Sequence, residues 1–229
     1  MSACTEITVF RLQEVAAAQV LDRSTEIGQS FLDTTQEIQK IPEVQEVHYS
    51  LSIERPNELW LLVDWESDET SRNKPASGGI KALLEPFLKD KTSSSNHTFH
   101  VSPSPYRVLN DPAAPIVEIF RIFFPVDTTN TDLEAIQAHW KKCSTLAIYS
   151  GGIAKTAAYG WTKERDVPHP DGETEPGLHL VVLVTWESLE RHLENNDTEG
   201  FKASSEIFFD MPRLVGYDMM HINGLLPEA

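Results

Sequence analysis

The apolar positions of the chain follow two rhythms: strict alternation in short runs, and a looser helical period in longer ones. The sharpest short run is LWLLVDWESDE, Leu59 to Glu69, which passes from strand-favouring residues through Trp-Glu-Ser into a polar, helix-starting segment. It returns as LVVLVTWESLE, Leu180 to Glu190. Before the first copy, EITVFRL (6–12) reads as a strand. Residues 17–39 read as a helix carried by Val20, Leu21, Ile27, Phe31 and Ile38 and ended by Pro42. Residues 44–54 alternate, with Val47, Tyr49, Leu51 and Ile53 on one face and His48, Ser50, Ser52 and Glu54 on the other. After the motif come a helix over 80–89 and a strand over 98–101. The predicted order is β-α-β-β-α-β, the ferredoxin-like arrangement.

The second half repeats this order: a strand over 116–124, a helix over 132–148, strands over 152–163 and 178–186, helices over 188–195 and 201–209, and a strand over 215–222. Sliding residues 59–101 onto 180–222 without a gap gives thirteen identities in 43 positions, against about three expected by chance. Upstream the offset is 110 rather than 121, pairing Phe10-Arg11 with Phe120-Arg121, Tyr49 with Tyr159 and Glu54-Arg55 with Glu164-Arg165. The difference is an insertion near Asp166–Pro176, expected to be a tolerant surface loop. A period of this length predicts a tandem duplication of two small domains rather than a solenoid. The expected division is 1–103 for the first ferredoxin-like repeat, 104–115 for a proline-rich linker and 116–229 for the second repeat.

Charge narrows the partners. Nineteen basic and 35 acidic residues leave a net charge of −16 with no basic cluster, which argues against nucleic acid and anionic membrane surfaces. Cys4 and Cys143 occupy unrelated positions of the two halves and suggest neither a disulfide nor a zinc framework. The first residues show no secretory signal pattern and no run reaches membrane-spanning length, so a reducing, cytoplasmic location is expected. No phosphate loop, nucleophile elbow or CxxC occurs, and His169, His179 and His192 lack ligand spacing, so neither cofactor nor metal is expected.

A duplicated β-α-β-β-α-β unit with Trp65-Glu66-Ser67 and Trp186-Glu187-Ser188 at its strand ends resembles the dimeric α/β-barrel superfamily. The nearest branch is the antibiotic-biosynthesis-monooxygenase type, particularly its tandem fungal versions. Phe10-Arg11, Phe120-Arg121, His192 and Gly200–Glu206 also carry the resemblance. His192 matches a histidine often found after the Trp, where the first half has Ser71. The resemblance implies an α+β fold whose two sheets form an intramolecular barrel, a pseudo-dimer. It also implies activities ranging from cofactor-free oxygenation to cyclisation, lyase chemistry and haem degradation, or no chemistry at all.

In such a fold each sheet has one face under its helices and the other toward its partner. The apolar sets Ile7/Val9, Leu59/Leu61/Val63/Trp65 and Leu180/Val182/Val184/Trp186 are expected under the helices. The opposite set is expected to line a shared cavity. It supplies His48, Asp64, His100, Glu118 and His221 as candidate acid–base residues, and Phe10, Ser50, Ser52, Trp60, Phe120 and Thr162 as candidate substrate contacts. Imidazole titrates near neutrality, and a carboxyl flanked by Ile and Phe, as Glu118 is, would have its pKa raised by burial. Each has a plainer alternative: an interior hydrogen-bonded histidine, a solvated strand-end carboxylate, or a salt bridge between Glu118 and Arg121. Because His48 becomes Ala158 and Asp64 becomes Thr185, the first half is expected to carry any chemistry. If it does not, Glu118 and His221 are the alternative acid and base.

Besides a purely structural interaction module, two functions follow. One is a cofactor-independent cyclase, isomerase, lyase or monooxygenase acting on a small hydrophobic, aromatic or polyketide-like molecule. The other is a non-catalytic ligand-binding or stress-response protein of the same fold. A homodimer of pseudo-dimers is a further assembly the fold allows.

Overall fold

A computed structural model describes residues 3–73, 76–92, 96–104, 109, 111–149 and 152–224. The first half contains β1 (Cys4–Arg11), α1 (Glu14–Ala17), α2 (Glu26–Gln39), β2 (Val44–Leu51), β3 (Glu58–Trp65), α3 (Asp68–Asn73), α4 (Ser77–Leu84) and β4 (His97–Val101). The second contains β5 (Ile116–Pro125), α5 (Asn130–Ser144), β6 (Thr156–Trp161), β7 (Gly177–Trp186), α6 (Leu189–Asn196), α7 (Glu199–Phe209) and β8 (Gly216–Asn223). The protein is therefore α+β, with two four-stranded antiparallel sheets ordered β2-β3-β1-β4 and β6-β7-β5-β8, the ferredoxin-like order. No helix of the described residues is long and apolar enough to cross a membrane. Part of the expected linker over 104–115 lies outside the described residues.

The repeated Trp-Glu-Ser has a structural use in both halves. Its Ser closes the strand and opens a helix: Ser67 Oγ accepts from Thr70 N (3.2 Å) and Ser188 Oγ from Arg191 N (3.3 Å), satisfying amides that a helix start leaves unpaired. Its Trp turns under the helices and holds a buried carboxylate. Trp65 Nε1 donates to Glu6 (3.2 Å), and Trp186 Nε1 donates to Glu118 (3.1 Å). Glu6 and Glu118 are thus equivalent positions, an offset of 112 rather than the 110 expected from Phe10-Arg11. The aligned Phe-Arg pairs are two residues out of structural register.

That register also corrects the faces. Each partner pair of β1 and β3 joins residues of opposite parity, as in Thr8 with Leu61 and Phe10 with Leu59. Since Leu59, Leu61, Val63 and Trp65 lie under the helices, Glu6, Thr8 and Phe10 lie there too, while Ile7 and Val9 join the layer between the sheets. The same inversion moves His100, paired with Glu6, and Glu118, Phe120 and His221 to the helix side. The expectations for β2, β3, β6 and β7 agree with the structure. The expected helix over 17–39 starts only at Glu26; residues 18–25 turn back against α2 so closely that a Cβ at Gly28 would stand 2.0 Å from Asp22 O.

The two sheets share one core, in which Trp60, Leu62 and Phe99 pack with Ile119, Leu183 and Met220. Their edges also meet. Ser52 bridges Ile222, and Ile53 N donates to His221 O (2.8 Å). Val101 bridges Thr162, and Ser104 and Tyr159 exchange backbone bonds of 2.9 and 3.2 Å. Gly160 permits this second seam, since a Cβ there would lie 2.5 Å from Ser102 O. The insertion is more anchored than a tolerant loop: Val167 is buried in the shared core and bridges Gly177, and the His169 ring stands 4.1 Å from Phe123.

Candidate functional site

The second half encloses a cavity of about 310 Å³ between its sheet and its helices. That lies at the small end of the range for small-molecule sites, about 300–1,000 Å³. Phe120 forms part of its wall and packs near Trp140, Phe208 and Tyr217, with ring centroids 6.5, 5.5 and 5.7 Å away. α5 ends in a π-turn over Thr145–Tyr149, a form common at functional sites. Ala147 and Ile148 of that turn complete the wall. Asn195 ties it to α6 by donating to Ala147 O (2.9 Å).

Polar groups converge at one side. Glu118 on β5 and His192 on α6 both line the cavity, with His192 Nε2 3.6 Å from Glu118 Oε2. His192 Nδ1 lies 2.9 Å from His221 Nε2, and His221 Nδ1 lies 2.5 Å from Glu54 Oε1. Glu54 also accepts from His221 N (2.8 Å). It belongs to the first half, just after β2, so the chain Glu54–His221–His192–Glu118 crosses between the halves. The hydrogen bonds assign the tautomers. A carboxylate can only accept, so His221 donates from Nδ1; with a neutral His221 ring, Nε2 then accepts from His192 Nδ1, and His192 Nε2 carries a lone pair.

Electrostatics follow from burial. Desolvation raises the Glu118 carboxyl to about 7, against the pull of the Trp186 hydrogen bond and with a small push from Glu54. His192 is lowered to about 4 by burial and by neighbouring His221, so near neutrality its ring is uncharged and its approach to Glu118 is not an ion pair. Burial opposes ionisation of Glu54, but the backbone and ring hydrogen bonds from His221 outweigh it and hold Glu54 below the usual carboxylate range. Cys143 also lines the cavity, yet burial pushes its thiol up to about 11, which removes it as a thiolate nucleophile. Three buried polar atoms of the lining residues lack hydrogen-bond partners: Trp140 Nε1, a donor, and Asn195 Oδ1 and Asn196 Oδ1, both acceptors.

The other sequence candidates sit elsewhere. His48 and Asp64 lie on the shared face, where His48 Nε2 is 3.4 Å from Glu46 and Asp64 accepts from Thr5 Oγ1 (2.7 Å). His100 is on the opposite face of the same sheet, 2.7 Å from Glu164, so the expected His48–Asp64–His100 constellation is divided by the sheet. Phe10 is in the first helix-side core, and Trp60 lies in the shared layer with the Arg121 guanidinium 5.1 Å over its ring. Ser50, Ser52 and Thr162 serve the seams and turns: Ser50 Oγ accepts from Asn223 N (3.2 Å), Ser52 Oγ from Arg55 N (3.1 Å) and Thr162 Oγ1 from His179 N (3.1 Å). The expected alternative for Glu118, a salt bridge with Arg121, is not formed; Arg121 faces the shared core and pairs with Asp218 (2.6 Å). His192 was visible in sequence only as the histidine after the Trp, and Glu54 only as half of a repeated Glu-Arg pair.

No protein-family model matches the sequence, and no curated protein matches it. Solved structures do match in fold. A candidate monooxygenase from Fusobacterium nucleatum subsp. nucleatum superposes with a TM-score of 0.62 at 9% identity, covering 98% of this chain and 93% of that one. An anthrone oxidase-like protein gives 0.59 at 9% identity over 97% and 91% of the two chains. A candidate monooxygenase from Lactobacillus acidophilus gives 0.58 at 9% identity over 97% and 93%. The chain therefore shares the α+β fold of these three structures over nearly its whole length.

Proposed function

We propose that the protein is an enzyme acting on a small hydrophobic, aromatic or polyketide-like molecule held in the second-half cavity. The observation that carries this reading is the meeting of an aromatic-walled cavity with Glu118 and the lone-pair nitrogen of His192. His192 Nε2 is the base that removes a proton from a phenolic or activated C–H position. His221, steadied by the Glu54 carboxylate, stabilises the imidazolium so formed. Glu118, uncharged below about 7, donates to the oxygen on which negative charge develops. Trp140 Nε1 and Asn195 Oδ1 offer a donor and an acceptor to the substrate's polar edge. Proton abstraction of this kind is the step that cyclisation, isomerisation, lyase chemistry and oxygenation of an electron-rich ring have in common. It needs only these side chains. The oxidase and monooxygenase names of the fold neighbours favour the oxidative branch.

The same reading includes a tandem duplication of the fungal type, with domains 1–103 and 116–229 closing one intramolecular barrel through the two edge seams. Recurrence of Glu6/Trp65 as Glu118/Trp186 and of His100/Glu164 as His221/Glu54 supports it. A cytoplasmic location and a homodimer of pseudo-dimers belong to the proposal as well.

The test uses anthrone as a probe, in chelator, following quenching of tryptophan fluorescence and oxygen uptake. Saturable binding and turnover are expected, with Glu118→Gln and His192→Ala lowering turnover about 10²–10⁴-fold. His48→Ala and His100→Ala should stay within a few-fold of the parent. Loss of turnover with His48→Ala or His100→Ala, but not with His192→Ala, would return the chemistry to the first half.

A further inference from the structure

Glu118 and His192, which line the cavity, and His221, bonded to His192, have a second capability. One potential ligand atom from each of Glu118, His192 and His221 lies within 4.8 Å of the other two, and all three residues are buried. We propose that they form a three-ligand site for a divalent transition-metal ion, opening onto the cavity.

The geometry is close to what an ion requires. Two imidazole nitrogens bound to one ion at about 2.1 Å stand roughly 3.0–3.4 Å apart, for octahedral or tetrahedral angles. His192 Nδ1 and His221 Nε2 stand 2.9 Å apart, with one proton shared between them. An ion in that gap displaces the proton to His192 Nε2, so that both rings bind as neutral imidazoles, His192 through Nδ1 and His221 through Nε2. Glu118 and His221 are register partners on β5 and β8, so their side chains leave the sheet side by side, while His192 descends from α6. A Glu118 oxygen belongs to the same set within 4.8 Å and supplies the third ligand by a side-chain adjustment.

The surroundings are also those of a ligand set. Glu54 holds His221 Nδ1, which fixes the ring and aims Nε2 at the site, the arrangement in which a carboxylate orients a metal-bound histidine. Trp186 Nε1 steadies Glu118 in the same way. Two imidazoles and one carboxylate suit zinc, iron(II), cobalt(II) or manganese(II) better than calcium or magnesium, which prefer all-oxygen shells. Three protein ligands leave positions open toward the cavity, as sites that act on substrates do. The first half keeps Glu6 and His100 but has Ser71 where the second has His192, so it lacks the third ligand. The sequence hid the set because its members lie far apart in the chain and on three elements.

This rests on the site of the proposed function and gives it a second form, in which a Lewis acid beside the substrate stands in for the His192 Nε2 base. Metal binding itself does not depend on that function. The test titrates the metal-free full chain with cobalt(II), followed by its visible ligand-field bands, and with zinc(II) by calorimetry, in both cases without any organic ligand. One ion per chain is expected. His192→Asn and Glu118→Gln should each weaken binding at least about tenfold, and Glu54→Gln about 10–100-fold. His139→Ala, a histidine on α5 away from the set, should leave it unchanged. Circular dichroism checks that each variant is folded. If the parent protein shows no bands and no binding heat, or if His192→Asn binds as tightly as the parent, the site is refuted. Because anthrone binding is measured in chelator, either idea can fail alone.

Discussion

Glu6 and Glu118 occupy the same place in their halves, under the same tryptophan, and differ in what covers them. Glu6 accepts from Trp65 Nε1, Ser71 Oγ and the amides of Ala76 and Ser77, at 3.1–3.2 Å. Every donor aimed at it is satisfied by it, and it fastens α3 and α4 to the sheet. Glu118 accepts from Trp186, faces neutral His192 and lines a cavity. The comparison teaches that a buried carboxylate is made a structural anchor or a cavity-lining group by the helix above it, not by its strand. Where helix amides close over the group it becomes a rivet. Where a histidine and open space replace them, it is available to a ligand.

The largest expected contrast is in stability. Glu6→Ala leaves four donors unpaired in the interior and should cost about 3 kcal/mol or more. Glu118→Ala leaves mainly Trp186 Nε1 beside a cavity and should cost much less. Denaturant unfolding of the two variants decides it, and equal losses would erase the distinction.

The second contrast is in pH dependence, measured on the metal-free protein. Folded Glu118 keeps its proton up to about 7, whereas in the unfolded chain the group ionises near 4.5. The folded state therefore binds more protons between those values, and its stability falls as pH rises through that window, by up to roughly 3 kcal/mol. Glu118→Gln lacks this loss. Its advantage over the parent should grow from about pH 4.5 to 7 and then level off. An advantage that does not change with pH would mean that Glu118 is not held protonated.

The smallest contrast concerns the crossed carboxylates. Glu54→Gln should lower turnover roughly tenfold, the rate equivalent of one charge-assisted hydrogen bond, by loosening His221. Glu164→Gln, its mirror at His100, should leave turnover unchanged. Equal effects would show that the two seams matter only for holding the halves together.

Much of this architecture is legible in the chain, and the illegible parts share a cause. β3 and β7 present long runs whose alternation ends in Trp, so their faces are readable. β1 and β5 carry large apolar residues of both parities, Ile7 and Val9 against Phe10, and Ile119 against Phe120, so the pattern does not say which set lies under the helices. Only the register of the neighbouring strand decides, and that is a property of the folded sheet. Glu118 stands out in sequence because a carboxylate between apolar neighbours is unusual. His192 and Glu54 do not, because one acts from a separate helix and the other from the opposite half.

The crossing of Glu54 to His221 also sets how freely the two hairpins can drift over evolutionary time. The second-half insertion begins after Glu164, so the partner of His100 is kept while the loop beyond it lengthens. In the first half, Ser52 and Ile53 are already committed to β8, and Glu54 follows at once. A residue gained or lost there would slide Glu54 past its histidine. The second half has the same order, with Thr162 and Lys163 committed to β4 just before Glu164, so in either hairpin the length is free to change only beyond the carboxylate.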